Sequence, residues 1–366
     1  MSELREISVN HLPSPTWNWL KVNEAYIKVP SEAVKGNELI EAGKDIKRNV
    51  SLDQERFLSF EAGLGEEFSQ LTESFKIAKE SFKIENDTKV KEPVRIDISY
   101  LENSFAFNSY EAHVGDDSEC TFIVNHIICE GSDIKEAACD MRFIIGKRST
   151  VKLVQIHSFN DEMKFYNNVS AECAEDARFE VIHLELASAG IFEGLCCNLL
   201  GDRSSLRIDT AYLGKNEDII DFNYVARHRG KETKSNIYCN GVLKNNASKV
   251  FRGTIDFIKG CAGAVGDEKE DVLLIDEDVV NKTVPLILCA EEDVEGTHGA
   301  TIGKLSDEVL FYFMARGIDE ENAYKLMIDG RIREVASKIE DEKTREYIFE
   351  TLLKNEDEVS EEEEDE

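Results

Sequence analysis

Between Val94 and about Leu288 the chain runs in short apolar stretches of period two, rich in Val, Ile, Phe and Thr and interrupted by small polar turns. That periodicity predicts strands with one buried face. A loose repeat lies beneath it. Gly115-Asp-Asp-Ser-Glu-Cys-Thr-Phe-Ile is echoed by Gly146-Lys-Arg-Ser-Thr-Val-Lys-Leu-Val, Ala174-Glu-Asp-Ala-Arg-Phe-Glu-Val-Ile and Gly201-Asp-Arg-Ser-Ser-Leu-Arg-Ile-Asp, at spacings of roughly 27 to 31 residues. Each copy reads as a tight charged turn, a small residue and an alternating strand. A repeat of this length is one coil of a solenoid, because a single coil cannot bury its apolar face and must stack on its neighbours. An antiparallel sandwich, whose strands and turns recur at degenerate spacing, is the alternative.

The flanks follow a different period. From Leu52 to Ile84, Phe57, Leu58, Phe60, Leu64, Phe68, Leu71 and Phe75 recur at steps of three and four, which predicts an amphipathic helix or helix pair. Upstream, Pro13 and Pro15 anchor a short segment in which Thr16 can cap a turn presenting Trp17 and Trp19, two aromatics expected to pack against the adjacent domain. Beyond Ser306 the helical period returns: Ser306 with Asp307 and Glu308 makes an N-cap, and Gly317 ends that helix. Asp319 starts the next helix, striped by Ala323, Leu326 and Met327, with more helix through Ile332 to Val335 and from about Asp341 to Leu353. The pattern divides the chain into an N-terminal helical region (1–93), a strand-rich core (94–305), a C-terminal helical domain (306–353) and a disordered acidic tail (354–366).

The formal net charge of −31 exceeds what the tail supplies, since Asn355 to Glu366 carries about nine acids. The folded body is therefore acidic as well, which repels phosphate backbones and anionic lipid and points to protein or metal partners. No basic, apolar export signal opens the chain, and no apolar run is long enough to span a bilayer, so a cytoplasmic protein is expected. Nine scattered cysteines form no C-x-x-C pair, and most are expected to be buried thiols in a reducing compartment. Gly146-Lys147 lacks the spacing of a phosphate-binding loop, and no nucleophile elbow or dinucleotide fingerprint is present.

Several motifs stand in order between about Arg227 and Val335. His228, Thr233 and Ser235 precede Gly241-Val242-Leu243; Val250-Phe251-Arg252-Gly253-Thr254-Ile255 follows. Then come Asp271-Val-Leu-Leu-Ile275, Thr283-Val-Pro285, Thr297-His-Gly-Ala-Thr-Ile-Gly303 and Leu310-Phe-Tyr-Phe-Met-Ala-Arg-Gly-Ile318, with Ala323 completing the series. Taken together and in this order, they resemble the SufB/SufD family of the SUF iron-sulfur cluster assembly machinery.

That resemblance implies a mainly β protein with a right-handed β-helix core flanked by N- and C-terminal helical regions. It implies a scaffold rather than an enzyme, paired with a SufB-like paralogue as a heterodimer, with a homodimer possible in isolation. A SufC ATPase would dock on the C-terminal helices and hydrolyse ATP. An iron-sulfur cluster would be held transiently, shared with the partner and not bound stably by this chain alone. His298 of Thr297-His298-Gly299-Ala300-Thr301 then becomes the candidate metal-binding residue. Phe311, Tyr312, Arg316 and Gly317 become the candidate ATPase contact. SufB-type chains carry a cysteine and a glutamate where this sequence has Glu270 and Gly299, so it sides with the SufD type. Gly296 stands where SufD chains often have cysteine, and Cys261 or Cys289 could in principle substitute, although Cys289 falls in an apolar run that reads as buried strand. No residue argues for flavin. A SufB-like cluster-carrying subunit and a β-helix carbohydrate-active enzyme using paired carboxylates remain the alternatives.

Overall fold

The computed structural model describes residues 3–100, 104–129, 132–159 and 162–351. From Glu80–Ile84 onward, consecutive strands alternate between two nine-stranded sheets, so that each coil contributes one strand to either wall. One wall runs from Ile46–Arg48 through Glu80–Ile84, Ala106–Val114, Glu136–Ile145, Lys164–Cys173, Gly190–Leu199, Ile219–His228 and Ser248–Phe257 to Val280–Cys289. The other runs from Asn37–Glu41 through Val94–Tyr100, Glu119–Ile128, Thr150–Ser158, Arg178–Ala187, Ser205–Gly214, Lys234–Leu243 and Ala264–Leu274 to Val294–Gly303. Every pairing is parallel except the first in each wall. The protein is a β-solenoid, as the repeat predicts, and not a sandwich.

The repeated turns explain the spacing. The third residue of each turn, Asp117, Arg148, Asp176, Arg203 and Glu232, adopts the left-handed conformation, with φ of 56° to 58°. In that geometry the turn points its amides along the rod axis: Asp117 N–H donates to Lys147 O at 2.8 Å, Arg148 to Glu175 O at 2.9 Å, Asp176 to Asp202 O at 2.9 Å and Arg203 to Lys231 O at 2.8 Å. Each turn is thus hydrogen-bonded to the next, and the backbone groups that a turn would leave orphaned are satisfied by stacking. Charges alternate along the column, where Arg148 pairs with Asp117 and Arg203 with Asp176. Between the walls lies one continuous apolar core, including Phe82, Phe122, Phe143, Phe179 and Phe222.

Residues 1–93 hold less helix than the spacing predicts. Among the described residues there, only Gln54–Leu58 and Glu66–Ser74 are α-helical, while an antiparallel pair, Leu4–Val9 with Ala25–Pro30, and the first strands of both walls occupy much of the rest. The apolar stripe from Leu52 to Ile84 mixes two periods: Phe68 and Leu71 face the solenoid from a helix, whereas Phe82 and Ile84 enter its core as strand residues. This layer is tied down by buried ions. Arg252 donates to Val22 O and to Asp221 Oδ1, both at 2.6 Å, and Asn10 Nδ2 donates to the same Asp221 oxygen at 2.6 Å. Trp17 and Trp19 do not pack on the domain; each is 72% exposed.

At the other end the helices Asp307–Met314 and Glu320–Ala336 form as expected, capped by Ser306 and Asp319, and residues 342–351 are helical. Ile332, Val335, Ala336 and Ile348 lie against Ile123, Val154, Leu184 and Ala211 on the outer face of one wall. The acidic tail expected at 354–366 lies outside the described residues.

Candidate functional site

His298 lies on Val294–Gly303, the outermost strand of its wall. Its inner neighbour is Ala264–Leu274, in a register that sets His298 beside Glu268 and Ala300 beside Glu270. Residues in register on parallel strands share a face, and both glutamates are buried, so His298 belongs to the face that looks along the interior. Gly296, two residues earlier, confirms the parity: a Cβ there would meet Ile287 Cγ2 and Phe257 Cε2 at 3.1 Å. That crowding is a physical reason for glycine at this position. Among the described residues no strand covers the outer edge of Val294–Gly303 or of Val280–Cys289, and His298 through Thr301 are exposed.

Directly beneath is a set of buried charges, of which the sequence reading singled out only Glu270. Lys249, with no exposed surface, forms an ion pair with Glu270, and Thr283 Oγ1 donates to the other oxygen of Glu270 at 2.5 Å. Burial, reinforced by the charge of Glu270, pushes the Glu268 carboxyl up to about 8. The signal was present in Gly266-Asp-Glu-Lys-Glu-Asp271, where Glu268 and Glu270 share parity with the inward Val272. Glu270 is committed to its ion pair with Lys249 and its contact with Thr283, and so offers no free ligand.

The second cluster of candidate residues is on the helical foot. Phe311 is 72% exposed, and Tyr312, Met314 and Leu326 are also exposed. Arg316 donates to Tyr312 O at 3.1 Å, and Gly317 ends the helix at φ 80°. The structure therefore separates the sequence-derived candidates into two places, His298 on the open solenoid end and Phe311, Tyr312, Arg316 and Gly317 on the foot.

Residues 98–331 match the family described as SUF system FeS cluster assembly, SufBD core domain. The chain belongs to the SufBD family. It is 25% identical over 260 residues to the iron-sulfur cluster assembly protein SufD of Bacillus subtilis, covering 70% of this chain and 59% of that one. It is 31% identical over 180 residues to a chloroplastic iron-sulfur cluster assembly SufBD family protein of Arabidopsis thaliana, covering 48% of this chain and 32% of the relative. A SufBD family protein of Staphylococcus haemolyticus is 27% identical over 195 residues, 52% of this chain and 41% of its own. The chain thus spans between about a third and three fifths of the length of these relatives.

Two of the motifs read in the sequence acquire physical explanations. His228 Nδ1 lies 2.8 Å from Thr233 Oγ1 and Nε2 lies 2.8 Å from Ser235 Oγ, so one His and two hydroxyls close a buried turn. Gly241 is required by Tyr212, whose ring would lie 1.8 Å from an added Cβ. The cysteines divide: seven are buried, Cys129 is half-buried and Cys289 is exposed. Cys261 packs with Ile255, Phe257 and Ala264, and burial raises its thiol. Cys289 departs from the buried strand residue expected, because it ends an outermost strand, and its Sγ donates to Glu291 O at 3.0 Å. No described helix is long and apolar enough to cross a membrane.

Proposed function

We propose that this chain is the scaffold subunit of a SUF complex, pairing through the open end of its solenoid with a SufB-like paralogue and docking a SufC-type ATPase on its helical foot. The observation that carries the reading is the pair of uncovered outer strands, Val280–Cys289 and Val294–Gly303, with His298 exposed on one of them. Unpaired strand edges are templates for another chain's strands. A second solenoid placed there would enclose His298 within the joint. Neutral imidazole ligates iron, and a partner would supply the thiolates that this chain's interior does not present, so the nascent cluster is a transient cargo at the joint.

The foot answers a different requirement. Exposed aromatics beside an arginine are the residue types that anchor interfaces. Nucleotide binding in the ATPase would shift the population of pairing states at the joint, through the helix Glu320–Ala336 that packs on the wall. A paralogue-free homodimer remains available to the same edges.

Co-purification with SufB-type and SufC-type chains tests this, comparing wild type, Ala300→Arg on the outer strand and Phe311→Ala on the foot. Ala300→Arg is expected to lose the paralogue and Phe311→Ala the ATPase. Wild-type chain that recovers neither partner would sink the reading.

A further inference from the structure

Midway along the rod, far from the open end, the apolar interior is interrupted. His157 and Glu185 sit side by side in register on Thr150–Ser158 and Arg178–Ala187, and Glu193 faces them from Gly190–Leu199 on the opposite wall. All three are buried, at 0%, 3% and 0% exposure. One donor atom from each lies within 4.8 Å of the others. His157 Nδ1 is 2.6 Å from Glu185 Oε1. Tyr224 donates to Glu193 Oε1 at 2.5 Å, Asn167 Nδ2 donates to Glu193 Oε2 at 3.3 Å, and His183 pairs with the same carboxylate.

We propose that the interior of the solenoid holds a divalent transition-metal ion ligated by His157, Glu185 and Glu193. Two buried carboxylates, Glu185 and Glu193, crowd with His157 into one interior site, where like charges repel each other unless a cation lies between them. A divalent cation balances both charges. The arrangement also leaves ligand atoms unused: His157 Nε2 and Glu185 Oε2 are buried and have no hydrogen-bond partner among the described residues. Buried polar atoms of this kind call for an ion or water. Ligands around a first-row ion at about 2.0 to 2.2 Å lie roughly 3 to 4 Å from one another, so small shifts, with His157 Nδ1 and Glu185 Oε1 moving apart, set three protein ligands around one ion.

The donor chemistry selects the class of ion. One imidazole with two carboxylates suits zinc, iron(II), manganese or cobalt, whereas magnesium and calcium favour oxygen alone. Tyr224, Asn167 and His183 orient Glu193 as the outer partners of metal-binding side chains do. The strands of Glu185 and His157 are four and five positions from the strand of His298, roughly 19 to 24 Å at ordinary strand spacing, so the site stands independently of the proposed joint.

The full chain is unfolded with a chelator, refolded with either zinc or cobalt(II), passed through gel filtration and analysed for bound metal, with X-ray absorption on the wild type. About one ion per chain in an oxygen and nitrogen shell is expected, with roughly tenfold or greater loss of affinity in both Glu185→Gln and Glu193→Gln. Near-ultraviolet circular dichroism checks that each variant folds. A wild-type chain that retains no metal would overturn the site in favour of a hydrogen-bonded network. Retention unchanged in both glutamine variants, or sulfur in the absorption shell, would place the ion elsewhere, for instance at Cys173 and Cys197, whose sulfurs are 3.8 Å apart.

Discussion

The guanidinium carbon of Arg316 sits 3.5 Å from the centroid of the Tyr312 ring, on a helix whose neighbouring Phe311 faces solvent. An exposed cation over an aromatic face contributes about 0.5 to 1 kcal/mol, too little to explain the residues by stability alone. Tyr312→Ala and Phe311→Ala are therefore expected to change unfolding free energy by about 1 kcal/mol or less, while weakening capture of a SufC-type ATPase at least tenfold, as loss of an interface anchor does. Thermal melts beside a binding titration separate the two effects.

Lys249 and Glu270 form an ion pair with no exposed side chain on either partner. Removing one member of such a pair leaves the other charged and unsolvated. Lys249→Met should lower stability by about 3 to 5 kcal/mol, and the double substitution Lys249→Met with Glu270→Leu should recover most of the loss. Urea titrations of the single and double variants measure the coupling.

Burial pushes the imidazole of His228 down to about 4. In the unfolded chain the same group titrates near 6.5. Between those values the unfolded state binds a proton that the folded state refuses, so the stability present above pH 6.5 is lost as pH falls toward 4, at a limiting slope of about 1.4 kcal/mol per pH unit. The groups around the ring are Thr233, Ser235 and Phe257, none of them titratable in this range. Denaturant midpoints from pH 7 to pH 4 should fall more steeply for wild type than for His228→Gln. Parallel curves would remove His228 as the source.

The coils were legible because the chain repeats a backbone requirement: a left-handed third residue in each turn fixes a charged or polar residue at Asp117, Arg148, Asp176, Arg203 and Glu232. The foot was legible because Ser306 and Asp319 carry their capping chemistry locally. Interior charges were not. Period-two alternation says that His183 and Glu185 share a face with Phe179 and Val181, but a polar pair within an alternating strand reads equally as a solvated edge until the opposite wall is placed. The strands of the amino-terminal layer escaped notice for a related reason: short ones such as Asn37–Glu41 carry too few residues to establish a period. Trp17 and Trp19 illustrate the remaining gap, since an aromatic's hydrophobicity does not reveal whether its partner lies in the same chain.

The most direct test is anaerobic reconstitution of the complex with SufB-type and SufC-type chains, iron and a sulfur donor, followed by the visible absorbance of the assembled cluster. His298→Ala is predicted to co-purify with both partners in wild-type amounts and to form little or no cluster. Cluster formation by that variant at the wild-type rate and yield would contradict a role for His298 at the joint.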